Sequence, residues 1–421
     1  MYQIENAGEV LRGEGALAGR KTRLPRVSRN VVLLGLTSLF TDISSEMVAT
    51  ILPLYLVFGL GMSPLQFGVV DGLYQGVAAL VRVVSGVAAD RWHRYKEIAA
   101  LGYGLSAVCK LGFLAVGGTV TAISSVVVLD RTGKGIRTAP RDALISLSST
   151  PAKLATSFGV HRALDTAGAM LGPLVAFCLL LLSPRGFDAV FVVSFFVALI
   201  GLALLVLFVE NRPPSDDAGG PRPSVRSAAR LLRSPRFRPL VLVGGVLALF
   251  TVSDGFLYLG LQRHLDFDER FLPLLYMATA LVYMVLAIPV GRLADRVGRG
   301  RVFLGGYMLL LLVYGSLLAP PLGTPSLVVY VLLFGAYYAA TDGVLMALAS
   351  SVLPESHRGS GLALLVTATS LARLVAAVVF GGLWTWLGLD AAIVAFAAGL
   401  LLVAPVAAIA LARTEEGPAY A

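Results

Sequence analysis

Two related segments decide how this chain folds: SGVAADRWHRYK at residues 85–96 and VGRLADRVGRGR at residues 290–301. A second match follows each of them in the same order, DALISLSS at residues 142–149 and DGVLMALASS at residues 342–351. Two ordered matches indicate an internal duplication, so the chain is predicted to consist of two halves of similar structure. In the first match the aligned pairs, each 205 positions apart, are Gly86 with Gly291, Asp90 with Asp295, and Arg91 with Arg296.

Apolar segments surround both copies. The chain is 57% hydrophobic and only 14% charged, and a soluble domain of 421 residues would need more charge to cover its surface. Apolar stretches of about 20 residues, the length that crosses about 30 Å of hydrocarbon, recur between residues 31 and 412. The composition therefore predicts an all-α membrane protein that crosses the bilayer many times.

Twelve spans are expected, six on each side of a polar segment rich in proline, serine and arginine. This segment, residues 211–238, is predicted to be a cytoplasmic linker between two six-helix bundles, residues 31–210 and 239–412. Residues 1–30 and 413–421 are predicted to be terminal tails. The spans are expected at residues 31–58, 65–89, 97–117, 119–142, 155–182, 187–209, 239–262, 271–293, 302–319, 325–349, 360–386 and 389–411.

The basic residues indicate the orientation of the chain. Of the 34 Lys and Arg residues, 27 lie in the tails, in the loops on the same side, or in the adjoining half of the fourth span. Only Arg185, Arg263 and Arg270 lie in the opposite loops. The positive-inside rule then places both termini in the cytoplasm, and the cell (inner) membrane is the expected location. This distribution explains the net charge of +9 without a nucleic-acid partner.

The two loop segments resemble the signature of the major facilitator superfamily, G-x-x-x-D-R-x-G-R-[RK]-[RK], between the second and third spans. The second copy matches well, while the first departs where His93 replaces a glycine and Tyr95 a basic residue. Arg131, followed four residues later by Gly135, resembles a further motif of the superfamily. Gly168, Gly172 and Pro173 resemble, in incomplete form, a motif of the superfamily's drug–proton antiporters.

This resemblance implies twelve transmembrane helices in two pseudo-symmetric six-helix bundles, the major facilitator fold. It also implies that spans one, four, seven and ten line a central cavity. A carboxylate at the end of span two can pair with nearby Arg residues and with a helix N-terminus, which in the family latches the cytoplasmic side. The candidate gate residues are Gly86, Asp90, Arg91, Gly291, Asp295, Arg296 and Arg299.

Ionisable side chains inside the predicted spans are the candidates for proton coupling or a substrate cavity, because charge at the bilayer centre is costly. Asp42 and Glu46 are four residues apart and share a helix face. Alternatively, Asp42, Glu46, Arg131 and Lys134 form a buried ionic network that only fixes packing. The full set of candidates is Asp42, Glu46, Asp130, Arg131, Lys134, His161, Asp165, Asp254, Asp342 and Arg373.

These features favour a secondary transporter that moves a small molecule or ion by alternating access, with proton-coupled export as the leading hypothesis. Asp42 or Glu46 would then bind the proton, and Arg131 would tune its affinity. The alternatives are a uniporter or importer of an organic anion held by Arg131 and Lys134, or, from another class, a membrane-embedded enzyme or sensor. The chain is expected to interact with the lipid bilayer and to function as a monomer.

The sequence contains no motif that favours catalysis. It has no nucleophile–base constellation and no metal-ligand spacing of His or Cys, and the GKG at residues 133–135 lacks the pattern of a phosphate-binding loop. Cys109 and Cys178 both lie in apolar runs, which indicates neither a disulfide framework nor a metal cluster. No enzyme activity, cofactor or metal is therefore expected.

The orientation predicts which positions react with a membrane-impermeant thiol reagent. In a chain whose native cysteines are replaced, Gly117→Cys and Thr324→Cys are expected to be labelled in intact cells, because both lie at or next to the outer ends of predicted spans. Ser227→Cys, in the linker, is expected to react only after the membrane is opened. Ready labelling of Ser227→Cys in intact cells would overturn the orientation.

Overall fold

The structure is a computed structural model that describes residues 27–92, 94–150, 153–211, 230–320, 323–353 and 358–415. Most of both predicted tails, most of the predicted linker, and His93 lie outside these ranges. The described residues are almost entirely helical. In chain order the helices are α1 (Arg29–Leu54), α2 (Pro64–Trp92), α3 (Tyr95–Ala115), α4 (Val120–Leu147), α5 (Leu154–Leu182), α6 (Phe187–Phe208), α7 (Phe237–Leu249), α8 (Asp254–Leu265), α9 (Leu272–Val297), α10 (Arg299–Leu318), α11 (Thr324–Val352), α12 (Arg358–Leu387) and α13 (Leu389–Glu415).

The predicted all-α membrane fold is confirmed. Each predicted span coincides with a helix, or with the pair α7 and α8, and the ends differ by a few residues. Within the described residues, ten helical segments are long and apolar enough to cross a membrane. The helices α2 and α4 are of similar length, 29 and 28 residues, but several charged residues interrupt their apolar character.

The seventh predicted span is one apolar segment, Phe237–Leu265, but its helix is interrupted. Residues 250–253 separate α7 from α8 and are not helical. Thr251 donates its hydroxyl hydrogen to the carbonyl of Leu247 at 3.0 Å, and the Tyr314 hydroxyl accepts from Val252 N and donates to Phe250 O, both at 2.9 Å. Such side-chain hydrogen bonds offer the backbone an alternative to the helix ladder, which apolar periodicity does not reveal.

The helices cluster into two compact units. One consists of residues 27–55 and 77–211, and the other of residues 56–76 together with the described residues after 230. The first half of α2 therefore belongs to the unit of the C-terminal helices, and its second half belongs to the unit of α1 and α3–α6. The bundle limits predicted from the sequence stay a prediction.

Glycines allow the helices of the first unit to approach closely. A Cβ at Gly168 of α5 would clash with the carbonyl oxygen of Leu39 in α1, and one at Gly172 would lie 2.7 Å from the carbonyl oxygen of Ile43. The contact between α3 and α4 is reciprocal, because a Cβ at Gly102 would lie 2.6 Å from the oxygen of Gly133. Small residues at such contacts bring polar side chains of neighbouring helices within reach of each other.

The contact between α1 and α5 predicts different effects for two glycines of the same helix. Gly168→Ala is expected to destabilise the protein by about 1–3 kcal/mol, because the added methyl group forces the two helices apart. Gly159→Ala is the matched control, since nothing lies within 4 Å of a Cβ there. Thermal denaturation of the detergent-solubilised variants measures both effects, and equal stability of the two variants would contradict the close packing.

Candidate functional site

Asp130 of α4 is the centre of a fully buried ionic cluster. Its Oδ1 accepts from Lys110 Nζ and from the Ser106 hydroxyl, both at 2.6 Å, and its Oδ2 accepts from Arg131 Nε at 2.9 Å. Each of the three charged side chains is at most 4% exposed. Because both carboxylate oxygens of Asp130 are bonded, this cluster fits the packing alternative better than a proton-binding role.

A second buried cluster joins α1, α4 and α5. Asp42 and Asp165 are 3% and 2% exposed, and their carboxyl groups lie within hydrogen-bonding reach of each other. Arg137 Nη2 lies 3.9 Å from Asp42 Oδ1. Asp165 has two guanidinium neighbours, Arg141 at 3.7 Å and Arg162 at 3.2 Å. The structure thus brings together two of the predicted carboxylates, although they are 123 positions apart in the chain.

His161 and Lys134 lie at the margin of this cluster. The ring of His161 shares a hydrogen bond of 2.9 Å with the Ser38 hydroxyl, which also accepts from Arg141 Nη1 at 3.2 Å. Lys134 lies close enough to Asp42 and Glu46 to interact with both electrostatically. The structure therefore assembles these candidates in one unit.

Arg137, not Arg131, is the guanidinium that the structure places beside Asp42, at the 3.9 Å given above. Arg131 instead bonds its sequence neighbour Asp130. The guanidinium of Arg137 also lies 4.7 Å from the centre of the Tyr103 ring, a cation–π contact that helps to hold it in place. Any influence of Arg131 on the proton affinity of Asp42 would have to act over a longer distance.

The second unit contains its own polar groups. The Tyr338 hydroxyl of α11 donates to the Asp254 carboxylate at the start of α8. Arg373 Nη2 of α12 lies 4.0 Å from Asp342 Oδ1 of α11. These two residues line a cavity of about 20 Å³, enough for about one water molecule, whose wall also includes Tyr307, Thr341 and Thr369.

The second copy of the loop signature lies between α9 and α10. Asp295 accepts two hydrogen bonds from Arg299, at 2.9 and 3.0 Å, and Arg299 Nη1 donates to the Ala347 carbonyl at 3.2 Å. Gly298 has φ 111°, a conformation that a side chain disfavours. Arg296 is exposed, and nothing lies within 4 Å of a Cβ at Gly291. In the first copy, the backbone of Gly86, Asp90 and Arg91 belongs to α2, and the structure does not describe their side chains.

The motif glycines and proline occupy packing positions. A Cβ at Gly135 would lie 2.6 Å from Val81 of α2, and its carbonyl oxygen accepts from the Ser85 hydroxyl at 2.8 Å. Gly168 and Gly172 contact α1 as described above. Pro173 is buried inside α5, where it removes one helical hydrogen bond.

Sequence reasoning missed three buried ionisable residues: Asp71, Lys110 and Arg137. Each lies inside a predicted span, so the same rule that selected Asp42 would have selected them. The structure also places Arg82 Nη2 of α2 3.5 Å from Asp142 Oδ2 of α4. The spacing of residues along one helix does not reveal which neighbouring helix supplies the counter-charge.

Two duplicated halves of membrane-spanning helices, with ionisable side chains buried inside them, are typical of secondary transporters. The chain belongs to the major facilitator superfamily, because the family model matches residues 34–266 and 250–420. It is therefore a multi-pass membrane transporter, and this family membership places it among transporters and not among enzymes.

Two relatives match much of the chain. An uncharacterized MFS-type transporter of Methanocaldococcus jannaschii is 33% identical over 371 residues, which are 85% of this chain and 89% of that protein. An uncharacterized protein of Mycobacterium bovis is 28% identical over 303 residues, 68% of this chain and 71% of the relative.

Solved structures share the fold at low sequence identity. The nucleoside transporter NupG has a TM-score of 0.78 at 14% identity and covers 91% of this chain and 100% of its own. A POT family transporter in complex with 5-aminolevulinic acid has a TM-score of 0.75 at 13% identity, with coverages of 92% and 97%. A bacterial homologue of the lysosomal transporter Spinster has a TM-score of 0.68 at 17% identity, with coverages of 91% and 96%.

Proposed function

We propose that this transporter is a proton-coupled exporter of a small solute that works by alternating access, with Asp42 and Asp165 as its proton-binding pair. It functions as a monomer in the cell (inner) membrane, with both termini in the cytoplasm. The observation that carries the proposal is the buried contact between these two carboxyl groups. The orientation rests on the distribution of Lys and Arg.

A hydrogen bond between two carboxyl groups needs a proton, and burying two adjacent carboxylates favours keeping one of them neutral. The proton belongs on Asp42, since Asp165 has two guanidinium neighbours at 3.2 and 3.7 Å while Asp42 has one at 3.9 Å. A small movement of α1 relative to α5 would separate the two groups and release the proton. Such a movement is the kind of step that alternating access supplies.

The direction of transport, export, is inferred from the glycine and proline motif of α5. The support is the similarity of Gly168, Gly172 and Pro173 to the motif of drug–proton antiporters, and the two glycines pack against α1. That contact is also the one that holds Asp42 beside Asp165. A proton-driven change at this pair would therefore act directly on the helix that carries the motif.

The alternative, a uniporter or importer of an organic anion, has its own support. Helix α4 carries four basic residues, Arg131, Lys134, Arg137 and Arg141, but only two acidic ones. A solute with a carboxylate or phosphate group could use the excess positive charge. Among the similar folds, one is a nucleoside transporter and one was solved with 5-aminolevulinic acid, so the fold accommodates small organic solutes.

Proton coupling predicts a separation of accumulation from exchange. A growth screen of an overexpressing strain against toxic compounds first supplies a substrate. In liposomes with an imposed pH gradient, Asp42→Asn and Asp165→Asn are expected to abolish uphill accumulation of that substrate but to retain its exchange. The reason is that a carrier unable to bind and release the proton loses its driving force while its movement survives.

The control for this experiment is Asp390→Asn, which changes an exposed carboxylate in the first turn of α13. Folding is checked first, because removing one partner of a buried ion pair costs about 3–5 kcal/mol. Wild-type transport that ignores the pH gradient would eliminate proton coupling. A loss of substrate binding in Lys134→Gln at every pH would instead favour the anion carrier.

We also propose that Asp295 and Arg299 latch the cytoplasmic end of the transporter. Asp295 is 64% exposed, and an exposed pair contributes only about 0–1 kcal/mol to stability. Asp295→Asn is therefore expected to slow turnover while leaving thermal stability close to that of the wild type. Asp268→Asn, which removes an exposed carboxylate outside the signature, is the control.

Asp90→Asn tests the first copy in the same assay. Because His93 and Tyr95 depart from the signature there, the two positions need not contribute equally. Transport rates that are unchanged in both single variants and in the double variant would rule out the latch.

A further inference from the structure

The break between α7 and α8, residues 250–253, lies beside a buried carboxylate that the proposed mechanism does not use. Asp71 of α2 is only 9% exposed, and its carboxyl group faces the Ser253 hydroxyl at the end of the break. Both groups belong to the unit of the C-terminal helices. This site is separate from Asp42 and Asp165, which belong to the other unit.

Close packing fixes the position of Asp71. One turn before it, the Phe67 ring packs edge-on against the Phe256 ring of α8, with 4.7 Å between the ring centres. On the next residue, a Cβ at Gly72 would lie 2.8 Å from the carbonyl oxygen of Leu374 in α12. Asp71 is thus held against the start of α8 and cannot swing out to solvent without moving α2.

Several oxygen atoms at this place have unused bonding capacity. Asp71 Oδ2 and Ser253 Oγ are both buried, and neither has a hydrogen-bond partner within 3.5 Å among the described residues, although the side chains of Ser253 and Gln75 both approach the Asp71 carboxyl group. Within the described residues, the carbonyl oxygens of Thr251 and Val252 also accept no hydrogen bond, because the helix is interrupted there. Buried polar atoms without partners are rare in proteins and point to a missing ligand.

The electrostatics of the place call for a positive charge. A second carboxylate, Asp254, lies close enough to Asp71 for the two to repel each other. No Lys or Arg of the described residues lies within 4.0 Å of either group, and Arg373 faces Asp342 instead. The other titratable groups nearby are Tyr74 on α2 and Tyr276 on α9, which supply no cation.

We propose that Asp71, Ser253 and the unwound carbonyl groups of residues 251 and 252 bind a monovalent metal cation of the size of sodium. Oxygen ligands from carboxylate, hydroxyl and carbonyl groups suit a hard cation, and unwound backbone within a membrane helix is a known way to coordinate Na⁺. Asp254, held by the Tyr338 hydroxyl, supplies the second negative charge.

A divalent ion fits this place less well. Mg²⁺ gives up its water shell reluctantly and Ca²⁺ requires six to eight oxygen ligands, whereas this site is buried and has few side-chain donors. Within the part of the chain that the structure describes, no three His, Cys, Asp or Glu residues are grouped as a metal site, so a bound cation here would depend on two carboxylates, one hydroxyl and backbone carbonyl groups. One sodium ion beside two carboxylates also leaves less uncompensated charge than an empty site does.

Sodium-dependent stabilisation of the purified protein tests the site without a transport substrate. A ligand that binds only the folded state raises the thermal midpoint as its concentration exceeds the dissociation constant. At fixed pH and ionic strength, NaCl is therefore expected to raise the midpoint above its value in choline chloride. Asp71→Asn and Ser253→Ala are expected to lose this shift, and Asp268→Asn, on an exposed loop residue, is expected to keep it.

Retention of radiolabelled sodium by the purified protein provides the second measurement, and it is expected to fall to background in the same two variants. If Asp71→Asn does not fold, Ser253→Ala alone tests whether sodium binds at this site, because it removes only one oxygen atom. Asp42→Asn is expected to keep the sodium shift, so a failure of proton coupling does not affect this test.

Two results would overturn the proposal. The first is a wild-type midpoint that is equal in sodium and choline, or a sodium shift that survives in both variants. The second is a midpoint that follows pH rather than sodium and loses this dependence in Asp71→Asn, which would show that Asp71 binds a proton instead.

Discussion

The cost of placing charge in hydrocarbon governs how the helices of the first unit pack. The carboxylate of Asp130 accepts from Lys110, Ser106 and Arg131, and each of these contacts offsets desolvation that the apolar surroundings would otherwise leave uncompensated. The glycine contacts allow these charged pairs to form. The reciprocal approach of Gly102 and Gly133 brings α3 near enough to α4 for Lys110 to reach Asp130.

The two ionic clusters of this unit differ in how completely their carboxylate oxygens are hydrogen-bonded. Both oxygens of Asp130 are bonded, whereas the buried atoms Asp42 Oδ2 and Asp165 Oδ1 accept no hydrogen bond from the residues that the structure describes. A cluster with every bond made resists change. A cluster with unbonded carboxylate oxygens can bind or release a proton at lower cost, as the proposed mechanism requires of Asp42 and Asp165.

The fold was largely predictable, because a helix long enough to cross a bilayer must be apolar along most of its length. The break at residues 250–253 was not, since FTVS is compatible with a helix and the hydrogen bonds of Tyr314 that hold it open come from 62 and 64 positions away. Candidate charges could be selected because they are rare in such segments. Their partners could not, since the pairs Asp42–Arg137 and Arg82–Asp142 depend on the rotation and tilt of separate helices.

The duplication shows how the two halves met one requirement differently. Asp142 and Asp342 correspond at an offset of 200, and each has an Arg neighbour, Arg82 at 3.5 Å and Arg373 at 4.0 Å. The position that corresponds to Arg82 at the offset of 205 is Ala287, so α9 cannot supply the same counter-charge. In the second half the counter-charge comes from α12. Corresponding carboxylates of the two halves thus face arginines from different helices, and the second pair lines a cavity.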